Sequence, residues 1–246
     1  APNGTLLGYP IVYTEHARRH LLAEGMPHRR TILTGSPMKE VLDHHRARIE
    51  ASDVLERLGL APQGYFLASL HREENVDDPR HLSALLDVLE GVHARWNLPV
   101  LVSTHPRTRK RLEALDRAPP PDGITFSPPF GFLDYVKLQQ QAFCVLSDSG
   151  TITEEASLLD FPAVTVRRSM ERPAGLDTGS ILLTGLDPEV VIQAVAFVID
   201  ARHRGIRAPV PEDYRVDHVS HRVVSLILGT ARLSNRWDGI DGPRDA

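Results

Sequence analysis

The sequence predicts an α/β protein built on a doubly wound parallel sheet of the Rossmann type. Short, continuous apolar runs recur between residues 65 and 185, and helix-like segments separate most of them. Continuous apolar runs are typical of strands that are covered on both faces. Strands that alternate with helices favour a parallel sheet, because parallel neighbours need a crossover connection.

The predicted strands are seven short apolar runs. Five runs are strong: YFLASL (65–70), PVLVST (99–104), GITFS (123–127), AFCVLSD (142–148) and AVTVRR (163–168). Two are weaker: TILTG (31–35) and SILLTG (180–185). We therefore expect five to seven strands. The helices between them are predicted at roughly 79–96, 107–116, 132–141, 151–159 and 188–203.

Both ends of the chain have helical patterns of their own. The stretches 14–25 and 38–60 show helical spacing, whereas PVPEDYR (209–215) is typical of a linker. The segment 219–237 is predicted to be a long amphipathic helix. Its apolar face is expected to contain Val219, Val223, Leu226 and Ile227.

Composition and charge exclude several classes of protein. The net charge is -4 with acids and bases mixed, so a nucleic-acid-binding protein is not expected. No stretch approaches the ~18 to 20 apolar residues of a membrane span. The first residues lack a signal-like pattern, and the single cysteine, Cys144, lies in an apolar run that suits a reducing compartment. The sequence therefore predicts a cytoplasmic protein without a membrane partner.

Polar residues that follow predicted strands are the first candidates for a ligand site, because ligands of open parallel sheets bind at the strands' carboxyl ends. HREEN (71–75) places His71 and Arg72 there. Imidazole and guanidinium groups together suit an anion such as a phosphate. STHPRT (103–108) follows another strand in the same way. A solvated loop or a helix cap is the structural alternative for each stretch.

The stretch SDSGTITEE marks a second strand exit. Ser149 and Gly150 lie at a predicted strand-to-helix turn, where Gly150 permits close approach of a ligand to the main chain. The backbone N–H of Thr151 and its neighbours, together with the helix dipole, favour an anion. Glu154 and Glu155 lie one turn further, where a carboxylate can accept two hydrogen bonds from a vicinal diol such as that of ribose. The alternative is that Ser149 caps the helix and that the acids Glu154 and Glu155 favour its N-terminus.

A polar loop follows the strand at 163–168. The segment 167–179 is too rich in Pro, Gly and charge to be a core element. Arg172 in this loop could reach the same anion, and an exposed loop arginine is the alternative.

Taken together, these stretches resemble the non-hydrolysing UDP-N-acetylglucosamine 2-epimerases. The similarity runs from about Tyr13 to Trp237. It includes, in the family's order, TEHARRHLLAEG, TGSPMKEVL, HREENVD, STHPRTR, SDSGTITEE and ERPAGLDTG. This family has a two-domain fold like that of GT-B glycosyltransferases, with UDP between the domains. The resemblance implies that this chain is the C-terminal part of such an isomerase.

The resemblance also implies roles for individual residues. It makes His71 the catalytic residue near the diphosphate. It assigns the binding of UDP to the following positions: Ser149, Gly150 and the N–H of Thr151 on the diphosphate, Glu155 on the ribose, Arg172 near the phosphates and Tyr135 beside the uracil. Arg72 joins this set through its place beside His71. No metal or NAD is expected, since metal-spaced His/Cys sets and a GxGxxG motif are not found.

The implied domain organisation has three parts. Residues 1–27 would be the tail of an N-terminal domain that carries catalytic Asp and Glu residues. Residues 28–210 would form the UDP-binding domain. Residues 211–246 would hold a helix that packs back on the N-terminal domain. Family members are commonly dimers, so a homodimer is expected.

The implied reaction inverts C2 of the sugar of a UDP-N-acetylhexosamine. UDP is eliminated to leave a glycal and then adds back at C1 while a proton reaches C2 from the other face. The sequence SGTITEE, together with Glu73 and the stretch 105–107, departs from the commonest family pattern. These forms are more similar to enzymes that make UDP-N-acetyl-L-fucosamine from the 6-deoxy-L-talose isomer. A GT-B glycosyltransferase and a non-catalytic nucleotide-binding module are the alternatives.

Overall fold

The structure is a computed structural model that describes residues 5–6, 9–118, 120–170, 172–231 and 233. The chain divides into two compact units. One contains residues 45–210, and the other contains residues 1–44 with 211–246. The domain boundaries predicted from the resemblance stay a prediction.

The helices and strands follow one another closely along the chain. In chain order they are β1 (Thr5–Leu6), β2 (Tyr9–Val12), α1 (Glu15–Ala23), β3 (Ile32–Leu33), α2 (Met38–Glu50), α3 (Val54–Leu58), β4 (Phe66–Ser69), α4 (Glu73–Val76), α5 (Pro79–Trp96), β5 (Val100–Ser103), α6 (Pro106–Glu113), β6 (Ile124–Ser127), α7 (Phe132–Gln141), β7 (Cys144–Ser147), α8 (Ile152–Leu159), β8 (Ala163–Thr165), α9 (Ala174–Asp177), β9 (Leu182–Leu183), α10 (Pro188–His203) and α11 (Val219–Thr230). Single 3₁₀ turns cover His28–Arg30 and Glu212–Tyr214.

The larger unit is built on a six-stranded parallel sheet of order β6-β5-β4-β7-β8-β9. This confirms the predicted doubly wound α/β fold. Along the chain, the first strand of this sheet, β4, lies beside the fourth, β7, so the winding reverses between them. Such a reversal opens a crevice beyond the carboxyl ends of the two strands, and ligands of doubly wound sheets bind there. The candidate residues after β4 and β7 therefore meet at one place.

The two faces of the sheet are covered by different helices, as the continuous apolar runs require. Successive residues of a strand point to opposite faces. Phe66 and Ala68 of β4 therefore pack in the cluster formed with α5 and α10, whereas Tyr65 and Leu67 pack in the cluster formed with α7 and α8. All four side chains are completely buried. A sheet held between two apolar layers gives the carboxyl ends of its strands a rigid base.

The predicted helix at 38–60 is interrupted, which corrects the sequence analysis. It forms α2 and α3, with a break around Ser52. The hydroxyl of Ser52 accepts from the backbone N–H of Val54 at 3.3 Å and donates to Asp134 Oδ1 at 2.5 Å. A serine side chain that satisfies backbone donors favours a helix start over continuation of the preceding helix.

The smaller unit contains its own short sheet of order β1-β2-β3. β1 pairs antiparallel with β2, and β2 pairs parallel with β3, which comes from the predicted run at 31–35. That run therefore lies outside the large sheet. In this unit Glu40 of α2 accepts hydrogen bonds from the backbone N–H and hydroxyl of Ser220 in α11. The predicted end of the last helix, near 237, lies outside the described residues.

Two further properties bear on the class of protein. In the part of the chain that the structure describes, no helix is long and apolar enough to cross a membrane. In the same part, no three His, Cys, Asp or Glu side chains lie together as a metal site requires. The expectation of a reaction without metal or NAD remains a prediction.

Gly175 provides the first testable prediction, because α9 approaches α8 closely at this position. A Cβ added to Gly175 would lie 2.2 Å from Thr153 Cγ2 and 3.0 Å from Ile181 Cγ2. We expect Gly175→Ala to lower the free energy of unfolding by about 3 kcal/mol, since both neighbours are buried and overpacking forces them to move. Urea denaturation measures this change.

Gly131→Ala is the matched control for that measurement. Gly131 lies in the same unit with a φ of -65°, and a Cβ there would meet nothing within 4 Å. The control should cost no more than about 1 kcal/mol, the contribution of an N-cap residue. Equal effects of the two substitutions would contradict the close contact at Gly175.

Candidate functional site

The centre of the candidate site is the carboxylate of Asp148, which follows β7 and has no solvent-exposed surface. Its oxygens accept hydrogen bonds from the backbone N–H groups of His71 at 3.1 Å and Arg72 at 3.0 Å, and from Asn75 Nδ2 at 3.1 Å. Burial acts to raise the pKa of Asp148, but the bonds from His71 and Arg72 outweigh it and hold the pKa below its ordinary value. The carboxylate is thus charged, and it ties the end of β4 to the end of β7.

His71 is the most exposed member of this cluster, with 46% of its side chain accessible. Its Nδ1 lies 3.1 Å from Asp148 Oδ1. This hydrogen bond raises the pKa of His71, although partial burial and the nearby cations Arg72 and Arg167 oppose the change. Because Nδ1 contacts Asp148, Nε2 is the ring nitrogen that remains for a ligand. A His–Asp pair of this kind presents a proton donor beside the switch point.

Further polar side chains connect this pair to the end of β8. Asn75 is 1% exposed, and its Nδ2 also donates to the backbone oxygen of Val166 at 3.2 Å. Arg72 Nε donates to the backbone oxygen of Asp148 at 3.2 Å. Arg167, only 2% exposed, lies near enough to His71 to affect its pKa. The ends of three neighbouring strands therefore combine two arginines and a histidine with one buried acid.

The turn that starts α8 is held by its own hydroxyl groups. Ser149 Oγ accepts from the backbone N–H of Thr151 at 3.3 Å and lies 3.0 Å from Thr151 Oγ1. The N-cap of α8 is Thr151, which forms no side-chain cap bond, so Ser149 holds the turn before the helix and is not the helix cap given as the alternative. A diphosphate that used the N–H of Thr151 would replace the bond from this N–H to Ser149 Oγ. As at any helix start, the first backbone N–H groups of α8, which follow Gly150, have no acceptor within the helix. These donors and the helix dipole suit an anion.

Glu155 lies one turn into α8 and is 7% exposed. Its Oε2 accepts a hydrogen bond of 2.6 Å from Nε2 of Gln139, which is completely buried on α7. Burial raises the pKa of Glu155, and the contacts with Gln139 and Thr151 oppose that rise. Unlike Asp148, Glu155 accepts no backbone N–H bond among the hydrogen bonds of the described residues.

Tyr135 of α7 lies on the same side of the sheet, where its hydroxyl is close to Ser69, Gln139 and Glu155. Burial raises the pKa of the Tyr135 phenol, and the neighbouring carboxylates of Glu155 and Asp148 raise it further. The structure therefore brings Tyr135 to the cluster through its hydroxyl group.

Arg172 lies in the polar loop that follows β8, shortly before α9. Its guanidinium forms an ion pair with Glu154, whose side chain is 3% exposed. The interpretation of Arg172 as an exposed loop arginine is therefore wrong. Since Glu154 precedes Glu155 in α8, this ion pair attaches the loop to the helix that starts at the candidate anion site.

The second predicted exit, STHPRT, forms a cap and an ion-pair cluster. His105 Nδ1 accepts from the backbone N–H of Arg107 at 3.3 Å at the start of α6. The guanidinium of Arg107 forms ion pairs with Glu73 and Asp77. The helix cap given as the alternative therefore describes this stretch. The ion pairs of Arg107 connect α6 to α4.

Sequence reasoning missed four side chains of this site: Asp148, Asn75, Gln139 and Arg167. Asn75 and Asp148 stand inside the quoted motifs HREEN and SDSGTITEE, so motif position was an available signal. Arg167 stands at the start of the polar segment 167–179, so its place after a predicted strand was also a signal. Gln139 has no such signal, because only the folded chain shows what it contacts.

Comparisons with known proteins give the family. The profile of the UDP-N-acetylglucosamine 2-epimerase family matches residues 8–228. The UDP-N-acetylglucosamine 2-epimerase of Methanocaldococcus jannaschii is 28% identical over 79% of this chain and 55% of its own. A solved structure of this enzyme from Rickettsia bellii has 43% identity and a TM-score of 0.83, over 92% of this chain and 60% of that one. The M. jannaschii enzyme in complex with UDP-GlcNAc and UDP has 27% identity and a TM-score of 0.81, over 90% and 61%.

The strand order defines a doubly wound α/β domain of the GT-B type, and the polar cluster at the switch point is its candidate ligand site. The matched structures share this fold. The chain belongs to the UDP-N-acetylglucosamine 2-epimerase family, which confirms the resemblance. It spans only 55% to 61% of the length of these relatives.

Proposed function

We propose that the protein is a non-hydrolysing UDP-N-acetylhexosamine 2-epimerase, an isomerase, and that this chain carries its UDP site. Family membership and the names of the relatives support the reaction class. The complex of the M. jannaschii relative with UDP-GlcNAc and UDP supports the nucleotide. The site residues are His71, Arg72, Tyr135, Ser149, Gly150, Thr151, Glu155 and Arg172.

The observation that carries the proposal is the placement of His71 by Asp148 at the switch point. The hydrogen bonds to Asp148 hold both the backbone and the imidazole of His71. They also hold Arg72 beside the turn at Ser149. A cationic imidazole and a guanidinium in this position suit the developing negative charge of a departing diphosphate.

The proposed reaction requires this charge stabilisation, because C2–H of the sugar is too weakly acidic for easy direct deprotonation. Elimination removes the C2 proton, forms the C1–C2 double bond and breaks the C1–oxygen bond to UDP. Re-addition forms the C1–oxygen bond again while C2 receives a proton on its other face. His71 donates a proton or hydrogen bond to the departing phosphate and takes it back on re-addition. UDP must stay bound throughout.

Retention of UDP is the proposed task of α8 and its turn. The donors at the start of α8 bind the diphosphate. Glu155 accepts hydrogen bonds from the ribose hydroxyls, and Tyr135 lies beside the uracil. Arg172, through its pair with buried Glu154, holds the loop near the phosphates. The carboxylates that exchange the C2 proton are expected from the domain that precedes this region in the family.

A second candidate substrate is the 6-deoxy sugar UDP-2-acetamido-2,6-dideoxy-L-talose. The sequence SGTITEE favours it, and the family includes other sugars. One relative, from Pseudomonas aeruginosa, is named UDP-2,3-diacetamido-2,3-dideoxy-D-glucuronate 2-epimerase and is 34% identical over 56% of this chain. The two candidate sugars differ in ring configuration as well as in the C6 hydroxyl. We therefore expect one of them to be converted at least about tenfold better, since a site that hydrogen-bonds the hydroxyls of one sugar leaves its own polar groups unpaired with the other.

The test of the proposed function offers both sugars to the protein in D₂O and follows C2 by NMR, while calorimetry measures UDP binding. A 2-epimer with deuterium at C2, formed without an acceptor, is the expected result. Sugar transfer that needs an acceptor would identify a glycosyltransferase instead. UDP binding without deuterium exchange would identify a non-catalytic module. Light scattering tests the further expectation of a homodimer, and fractionation tests that of a cytoplasmic location.

A further inference from the structure

Gln139 donates a short side-chain hydrogen bond within the candidate nucleotide site, and the proposed reaction gives this residue no role. Its Nε2 lies 2.6 Å from Glu155 Oε2. Gln139 is completely buried, and Glu155 is 7% exposed. A bond this short between an amide and a carboxylate is typical of a charged acceptor. It joins α7 to α8 directly behind the turn at 149–151.

Apart from Gln139 and the hydroxyl of Thr151, the surroundings of Glu155 disfavour its charge. Burial is the largest influence on its pKa and raises it. Tyr135 of α7 is a titratable group that interacts with Glu155, and the carboxylate of Asp148 after β7 acts on the same tyrosine. The adjacent acid of α8, Glu154, is paired with Arg172. Gln139 is thus the main donor that opposes the cost of burying the Glu155 charge.

We propose that Gln139 is a positioning residue, which holds Glu155 deprotonated and in a fixed orientation for the 2′ and 3′ hydroxyls of a ribose. The inference rests on the proposed UDP site. A neutral carboxylic acid would offer a donor where a diol needs acceptors. An amide stabilises the carboxylate without cancelling its charge, so the remaining lone pairs stay strong acceptors. A lysine in the same place would neutralise the acid.

The experiment compares wild type, Gln139→Met and Gln139→Glu. Calorimetry measures the binding of UDP and of 2′,3′-dideoxy-UDP to each protein. The measurements run from about pH 5.5 to 8.5, the range around neutrality in which a raised carboxyl pKa affects binding. Gln139→Met keeps the length of the side chain and removes the donor. We expect about tenfold weaker UDP binding near neutral pH, the effect of one hydrogen bond to a charged group. Binding of the dideoxy ligand should be unchanged.

The pH dependence gives a readout that a purely structural role would not move. Loss of the donor raises the pKa of Glu155, so the acid side of the UDP affinity profile should move to higher pH in Gln139→Met. Gln139→Glu places two carboxyl groups in contact, which then share a proton, and should move the profile further in the same direction. Gln140→Met, the same change at the next and half-buried position of α7, should leave the profile unmoved.

Three outcomes would overturn the inference: equal losses for UDP and dideoxy-UDP, an unmoved pH profile, or the same behaviour in Gln140→Met. Glu155→Gln distinguishes failure of the inference about Gln139 from failure of the proposed UDP site. If it weakens UDP binding while Gln139→Met does not, the inference about Gln139 fails and the UDP site stands. If neither substitution changes UDP affinity, the proposed UDP site fails as well.

Discussion

Asp148→Asn is expected to lower the free energy of unfolding by about 3 kcal/mol near neutral pH, the typical cost of breaking a buried charged network. It should also reduce turnover by about 10²- to 10³-fold. The amide keeps the volume of the side chain. In wild type, N–H groups of His71, Arg72 and Asn75 donate hydrogen bonds to the carboxylate of Asp148. The NH₂ group of the new amide would face these donors and could not accept their bonds. The substitution also removes the charge that raises the pKa of His71.

The pH dependence of this effect follows from both pKa shifts. The pKa of Asp148 is depressed, so its contribution to stability is present above the unfolded value of about 4 and is lost as pH falls through the folded value. The pKa of His71 is raised, so its contribution is complete below about 6.5 and is lost as pH rises through the folded value. The stability difference between wild type and Asp148→Asn should therefore be greatest between about pH 4 and 6.5.

Urea denaturation across this pH range and a pH–rate profile measure both effects. If His71 acts as an acid, turnover in Asp148→Asn should decline at a lower pH than in wild type. Asp78→Asn is the matched control, because Asp78 caps α5 at a partly exposed position and asparagine caps a helix equally well. A stability difference that stays constant with pH would contradict the proposed coupling of Asp148 and His71.

Much of the fold could be predicted from the sequence because its strands are covered on both faces. Burial on both sides requires continuous apolar runs, and six of the seven predicted runs form the parallel sheet. The seventh, at 31–35, has the same pattern but pairs with β2, since periodicity does not specify a partner. The break at Ser52 was missed because it depends on a contact with Asp134 that is distant in sequence.

The site was predictable where it depends on the direction of the strands. The carboxyl ends of parallel strands share one edge, so His71 and Ser149 could be placed on the same edge of the sheet. That they are neighbours there follows from the pairing of β4 with β7. What their polar groups contact could not be predicted. The single carboxylate of Asp148 organises the end of β4, and the amide of Gln139 reaches Glu155 from another helix. Both depend on packing that a motif does not contain.

Glu155→Gln is expected to weaken UDP binding about 100-fold, the combined effect of two hydrogen bonds from the ribose hydroxyls to a charged acceptor. An amide oxygen can still accept one such bond, but without the charge. Calorimetry with UDP should show this loss, and 2′,3′-dideoxy-UDP should bind wild type and Glu155→Gln equally. Equal losses for both ligands would place the ribose away from Glu155.

The same substitution should leave the fold as stable as before, or stabilise it by about 1 kcal/mol, in contrast to Asp148→Asn. Burial raises the pKa of Glu155, so the folded protein holds this proton more tightly than the unfolded chain does. Wild-type stability therefore falls as pH rises from the unfolded value through the folded value, and the advantage of Glu155→Gln should grow over the same interval. Asp148 has donors that offset its burial, whereas Glu155 is expected to obtain its missing donors from the ligand. Urea denaturation measures both changes. A loss of stability in Asp148→Asn together with a gain in Glu155→Gln would support a structural role for Asp148 and a ligand-binding role for Glu155.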